Sequence, residues 1–98
     1  MATLSTHVLD TASGRPATGV AVSLEKDGAV IARGVTDADG RIAQLAGSLD
    51  PGRYRLVFDL DVDKFFRRVA LDVEIGSESK YHVPLLVTAF AVTSYRGS

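Results

Sequence analysis

The sequence contains no cysteine. That absence removes disulfides, zinc–thiolate centres and a thiol nucleophile together. It also leaves a chain of 98 residues without a covalent staple. A chain of this size buries only about 60–65% of its unfolded surface, so added stability must come from good packing or from assembly. No apolar run approaches the roughly 18 residues that a membrane span needs. The opening Met1-Ala2-Thr3-Leu4 has neither the basic head nor the apolar core of a secretory leader. A basic stripe is missing too: 11 Lys and Arg face 12 Asp and Glu, for a net charge of −1. That balance disfavours a nucleic-acid footprint. One cytoplasmic domain over residues 1–98, without a nucleic-acid or membrane partner, is the expectation.

Chemical motifs are equally sparse. No G-x-S-x-G marks a serine nucleophile on a strained turn. The stretch Gly14-Arg15-Pro16-Ala17-Thr18-Gly19 lacks phosphate-cradle spacing and reads as a loop. Asp37, Asp39 and Gly40 echo the start of a calcium loop, but the later acidic ligands are missing. Histidine occurs only at His7 and His82, a poor set for zinc, which usually takes three protein ligands at a catalytic site. Asp10, three positions on from His7 in a strand, points to the opposite face. No metal and no cofactor are expected.

What the sequence does carry is alternation with period two. Val20, Val22 and Leu24 point one way and Ala21, Ser23 and Glu25 the other. Lys26-Asp27-Gly28 then turns the chain into a partner strand over Val30 to Val35. Thr36-Asp37-Ala38-Asp39-Gly40-Arg41 is a turn by its chemistry, because Asp side chains bond nearby amides and Gly40 supplies positive φ. Asp50-Pro51-Gly52 makes the next turn. Tyr54, Leu56, Phe58 and Leu60 alternate with Arg53, Arg55, Val57 and Asp59, and Val69, Leu71, Val73 and Ile75 with Ala70, Asp72 and Glu74. The last long stretch, Tyr81 to Phe90, is expected to bend and continue towards Tyr95. Asp61 to Phe66 suits either one turn of helix or a hairpin. About seven to eight short strands with at most one short helix predict an all-β, two-sheet β-sandwich.

On this scaffold His7, Arg41, His82 and Arg96 stand out. Two imidazoles that titrate near neutrality and two fixed cations suit activation of water beside an electron-rich, anionic substrate. Sequence spacing alone does not bring them together.

Five stretches carry a resemblance. They are Leu4-Ser5-Thr6-His7-Val8-Leu9-Asp10, Gly14-Arg15-Pro16-Ala17, Thr36-Asp37-Ala38-Asp39-Gly40-Arg41, Tyr81-His82-Val83-Pro84-Leu85-Leu86 and terminal Tyr95-Arg96-Gly97-Ser98. In this order they resemble the 5-hydroxyisourate hydrolases, the transthyretin-related enzymes of purine breakdown and urate degradation. The resemblance implies a transthyretin-like (prealbumin-like) sandwich assembled as a homotetramer, a dimer of dimers. It further implies cofactor-free hydrolysis of 5-hydroxyisourate to 2-oxo-4-hydroxy-4-carboxy-5-ureidoimidazoline. Carried onto matching positions, it implies catalytic roles for His7, Arg41, His82 and Ser98, with Tyr95, Arg96 and Gly97 joining them around the substrate. His7 would orient or deprotonate water and His82 would serve as a second proton-transfer or binding group. Arg41 would stabilise the carbonyl oxygen, and Ser98 would position water or substrate.

The chain departs from the family in two places. Val87 to Ser94 keeps one aromatic, Phe90, but lacks the usual proline and glycine, and the region between Phe58 and Val73 is several residues shorter than usual. A non-catalytic prealbumin-like module or a diverged carrier is the alternative, and it accounts for the scaffold but not for His7, His82 and the terminal tetrapeptide.

Overall fold

The computed structural model describes residues 1–61 and 63–97. Nine strands are seen among the described residues, and no helix: β1 (Ala2–Asp10), β2 (Arg15–Pro16), β3 (Ala21–Lys26), β4 (Ala29–Val35), β5 (Arg41–Leu49), β6 (Gly52–Asp59), β7 (Arg68–Ile75), β8 (Lys80–Val87) and β9 (Val92–Ser94). They form two sheets. In the first, β1 pairs with β2 and β5 on one side and with β8 on the other, and β9 closes the far edge. The second runs β4-β3-β6-β7. The β1–β8 pair is parallel, joining the first strand to the last long one.

Alternation decides what each sheet buries. On β1 the even positions Ala2, Leu4, Thr6 and Val8 enter the core, while Thr3, Ser5 and His7 stay half-buried on the outer face. Leu85 and Val87 of β8 join that core from the same sheet, facing Val22, Leu24, Leu56 and Phe58 of the other. Thr6 is the polar intruder, and its hydroxyl donates to the Val83 carbonyl at 2.6 Å. That bond satisfies a group that would be costly to bury unpaired.

The turns follow their chemistry. Asp27 and Gly28, at φ 52° and 83°, form the two-residue loop that joins β3 to β4 with the twist a hairpin prefers. In the β4–β5 turn one Asp37 carboxylate oxygen accepts from the Asp39 and Arg41 amides at 2.9 and 3.0 Å. Gly40 there sits at φ 72°, and its carbonyl accepts from the Val8 amide at 2.7 Å. The turn is thereby fastened to β1, with Arg41 starting β5 opposite His7.

Three details go beyond the sequence expectation. Arg15–Pro16, read as loop, pairs with Leu9 and Asp10 of β1; this is an edge, where a missing proline N–H costs nothing. Arg41–Leu49 is a strand, although its burial pattern does not alternate cleanly, because its pairing with β1 shifts register twice. The last stretch bends as expected but ends as a strand at Val87, short of Phe90. It reverses, so that β9 returns along β8 with Val92 opposite Val87. Thr88 causes the reversal, its hydroxyl accepting from the Phe90 and Ala91 amides at 3.3 and 3.0 Å. Of the two readings of Asp61 to Phe66, the hairpin is the one found: β6 and β7 on either side pair antiparallel, and no helix occurs among the described residues. The Leu60 amide donates to Arg67 at 2.8 Å, Phe65 donates to Ala89 at 2.8 Å, and Lys64 reaches Asp10 at 3.5 Å.

Candidate active site

The outer face of the first sheet gathers residues far apart in the chain. Period two puts Thr3, Ser5 and His7 in one row along β1. Pairing with β5 sets Arg41 opposite His7, and parallel pairing with β8 sets His82 opposite Ser5. A bridge then lays Gly97 beside His82. Adjacent strands lie roughly 4.8 Å apart, so four positions spread over the sequence meet on one surface.

An open groove of about 990 Å3 runs over this surface, lined by Thr3, Ser5, Arg41, Gln44, His82 and Arg96 among others. Lys80 and Glu78 also line it, so three cations outnumber one carboxylate among the described lining residues. That excess suits an anionic or electron-rich ligand. His7 is not among the residues that line this groove; the register places it on the same face, opposite Arg41 across the ladder and two residues on from Ser5.

His82 is the most constrained group. Its Nδ1 lies 2.8 Å from the Ser5 hydroxyl. Its backbone carbonyl accepts from the Gly97 amide at 2.7 Å. A Cβ on Gly97 would fall 2.8 Å from His82 Cδ2, so only glycine lets the chain lie this close. Burial first, and then the charges of His7 and Arg41, hold the His82 pKa below the ordinary 6.5. A histidine in these surroundings stays neutral at pH 7 and can accept a proton.

The segment after β9 is fastened at several points. The Ser94 hydroxyl donates to the Pro84 carbonyl at 2.8 Å. Arg96 stacks over the Tyr81 ring at 4.9 Å and pairs with Glu78. Tyr81 is held in turn by the Gly76 amide, which donates to its hydroxyl at 2.7 Å. Tyr95 goes elsewhere: it lines a smaller apolar cleft of about 310 Å3 with Leu71, Val73 and Val83. Arg96 borders both spaces. Ser98, expected at the site, lies outside the described residues.

His7, Arg41, His82, Arg96 and Gly97 are therefore brought together. Ser5, Glu78 and Lys80 join them without having been singled out in the sequence. For Ser5 a signal existed, since period two puts it on the face of His7. Among the described residues no group of three His, Cys, Asp or Glu side chains is placed to hold a metal ion.

A profile described as the HIUase/Transthyretin family matches residues 4–97. The chain belongs to this family. Within it, a 5-hydroxyisourate hydrolase of Deinococcus radiodurans is 42% identical over 113 aligned positions, covering 97% of this chain and 95% of that protein. An alignment that long against 98 residues requires gaps in this chain, in keeping with a shortened member of the HIUase/Transthyretin family. Among solved structures, 5-hydroxyisourate hydrolase of Klebsiella pneumoniae superposes with a TM-score of 0.91 at 40% identity, covering 100% of both chains. Sea bream transthyretin in complex with thyroxine gives 0.87 at 29% identity, covering 96% of this chain and 93% of that one. The family thus includes both a hydrolase and a hormone complex on nearly the same backbone as this chain.

Proposed function

We propose that the chain is a 5-hydroxyisourate hydrolase, opening its substrate's ring to 2-oxo-4-hydroxy-4-carboxy-5-ureidoimidazoline without a cofactor, as a step of urate degradation. The observation that carries this reading is the polar groove lined by Arg41 and a neutral, clamped His82, with His7 opposite Arg41 on the ladder. Family membership and the hydrolase relatives supply the substrate.

In this reading a water molecule adds to the carbonyl carbon of the ring, giving one proton to His82. His7 orients that water. The Arg41 guanidinium stabilises the negative charge that develops on the carbonyl oxygen. The ring C–N bond then breaks, and the departing nitrogen takes the proton that His82 accepted. The sum is the addition of one water across one C–N bond. Arg96 and Gly97 close one end of the binding site, Tyr95 supports them from the neighbouring cleft, and Ser98 positions water or substrate. The active unit is a homotetramer, a dimer of dimers, in the cytoplasm. No helix among the described residues is long and apolar enough to cross a membrane.

The test generates 5-hydroxyisourate from urate with urate oxidase and follows its decay. The chain is expected to accelerate that decay well beyond the spontaneous rate. Arg41→Ala should lower kcat/KM by about a hundredfold or more, as loss of a charge-stabilising donor does elsewhere. Decay at the spontaneous rate with the folded chain present would overturn the reading.

A further inference from the structure

We propose that Ser5 is a positioning residue that fixes the tautomer of His82, keeping its proton on Nδ1 and presenting bare Nε2 to the groove. The kinetic consequence rests on the hydrolase reading, whereas the tautomer does not.

The argument begins with proton counting. The Ser5 hydroxyl has one proton and two possible takers: His82 Nδ1 at 2.8 Å and the Tyr81 carbonyl at 3.4 Å. If the proton goes to the carbonyl, Nδ1–H donates to Ser5 Oγ and every group is satisfied. Nε2 then carries the lone pair. If the proton goes to Nδ1, the imidazole must carry its own proton on Nε2.

The surroundings decide between the two. The groups around His82 are His7 from β1, Arg41 from β5, Lys80 at the start of β8, Glu78 just before it and Arg96 from the last segment. Arg41, Lys80 and Arg96 are cations, and Glu78 is already paired with Arg96. A bare Nε2 turns the negative end of the ring dipole toward that net positive field. An Nε2–H would turn its positive end there.

Geometry keeps the ring from swapping ends. Ser5 holds Nδ1, and Gly97 lies against the Cδ2 edge so closely that no Cβ fits. The corner left for the groove is Nε2. A fixed lone pair there can take the proton from water as its oxygen bonds to the substrate carbonyl carbon, and return that proton to the departing nitrogen. Ser5 lines the groove, but its hydroxyl is engaged by His82 and the Tyr81 carbonyl, so it acts on the reaction through His82.

Long-range proton–nitrogen correlation spectra of the nitrogen-15-labelled chain at alkaline pH read the tautomer directly. Only two histidines are present, so a His7→Gln variant assigns them. Wild-type His82 is expected to show a protonated Nδ1 and an unprotonated Nε2. Ser5→Ala should move His82 toward the Nε2–H form and lower kcat about tenfold or more with KM nearly unchanged. Ser5→Thr, which keeps the hydroxyl, should restore both. A proton on Nε2 in the wild-type chain would overturn the proposal without any variant having to fold, as would a Ser5→Ala tautomer or kcat equal to wild type. If the wild-type chain does not accelerate 5-hydroxyisourate decay, the hydrolase reading fails, and the spectra alone still decide the role of Ser5.

Discussion

Replacing Gly97 by alanine tests whether the approach of the last segment to His82 matters for chemistry. The new Cβ would lie 2.8 Å from His82 Cδ2 and 3.3 Å from the His82 carbonyl oxygen, where ordinary contact begins at 3.4 Å. The gap must therefore open by about 0.6 Å at the ring edge. His82 cannot yield freely, because Nδ1 is bound to Ser5 and its strand lies between β1 and β9. Either the ring tilts or the segment swings away, and both disturb the groove wall. A misplacement of roughly 1 Å costs about a hundredfold in rate, so a loss of between about tenfold and a hundredfold in kcat/KM is expected. Stability should barely respond, since Gly97 has no positive φ to strain and one peripheral hydrogen bond contributes only about 1 kcal/mol. The assay is 5-hydroxyisourate decay beside a thermal melt. Gly28→Ala is the control. Gly28 lies at a hairpin tip in the second sheet, at φ 83° with nothing within 4 Å. Alanine there should lower Tm by several degrees, at about 1 kcal/mol of backbone strain, and leave activity intact. A Gly97→Ala enzyme within about threefold of wild-type kcat/KM would refute the reasoning.

Two further predictions follow from the same geometry. Burial and the nearby cations depress the His82 pKa below 6.5, so the acid limb of the kcat/KM profile should fall below pH 6.5. The unfolded chain binds more protons in that window, so this group's contribution to stability is present above pH 6.5 and is lost as pH falls through the folded pKa; denaturant midpoints at several pH values check the sign. Gly40→Ala should cost about 3 kcal/mol and lower Tm by more than 10 °C. Its Cβ would fall 2.5 Å from the Val8 carbonyl oxygen at a φ of 72°, and activity should fall too, because the same turn sets Arg41 opposite His7.

Where local chemistry dictates structure, the sequence was legible. Asp27-Gly28 and Thr36 to Arg41 turn as their side chains require. The alternation of Val20 to Glu25 and of Tyr54 to Leu60 matches the observed strands and their buried faces, except at Val57, which is buried on the opposite face of β6. Legibility ended where pairing partners decide. Arg41–Leu49 hides its period because the ladder with β1 slips twice. The parallel joining of β1 to β8 brings Ser5 to His82 across 77 positions, and no local pattern encodes a partner at that distance. The site residues His7, Arg41 and His82 came from family resemblance. Their convergence, and the parts played by Ser5 and by the small size of Gly97, came from the register.

The backbone does not by itself choose between hydrolase and carrier, since both kinds of relative superpose well on it. The outer face does. Thr3, Arg41, Gln44, Lys80 and His82, all polar, line the groove. A large apolar aromatic ligand seated there would strip water from these groups and return no hydrogen bonds, at a cost of roughly 1–3 kcal/mol for each one left unpaired. A small ring rich in carbonyl oxygens and N–H groups would satisfy them instead. The apolar cleft beside Tyr95 offers no substitute for the groove, because Arg41 and His82, which line the groove, do not line it. Carrier binding would therefore require this face to be rebuilt, whereas hydrolysis of a polar ring uses its charges and its neutral imidazole as they stand.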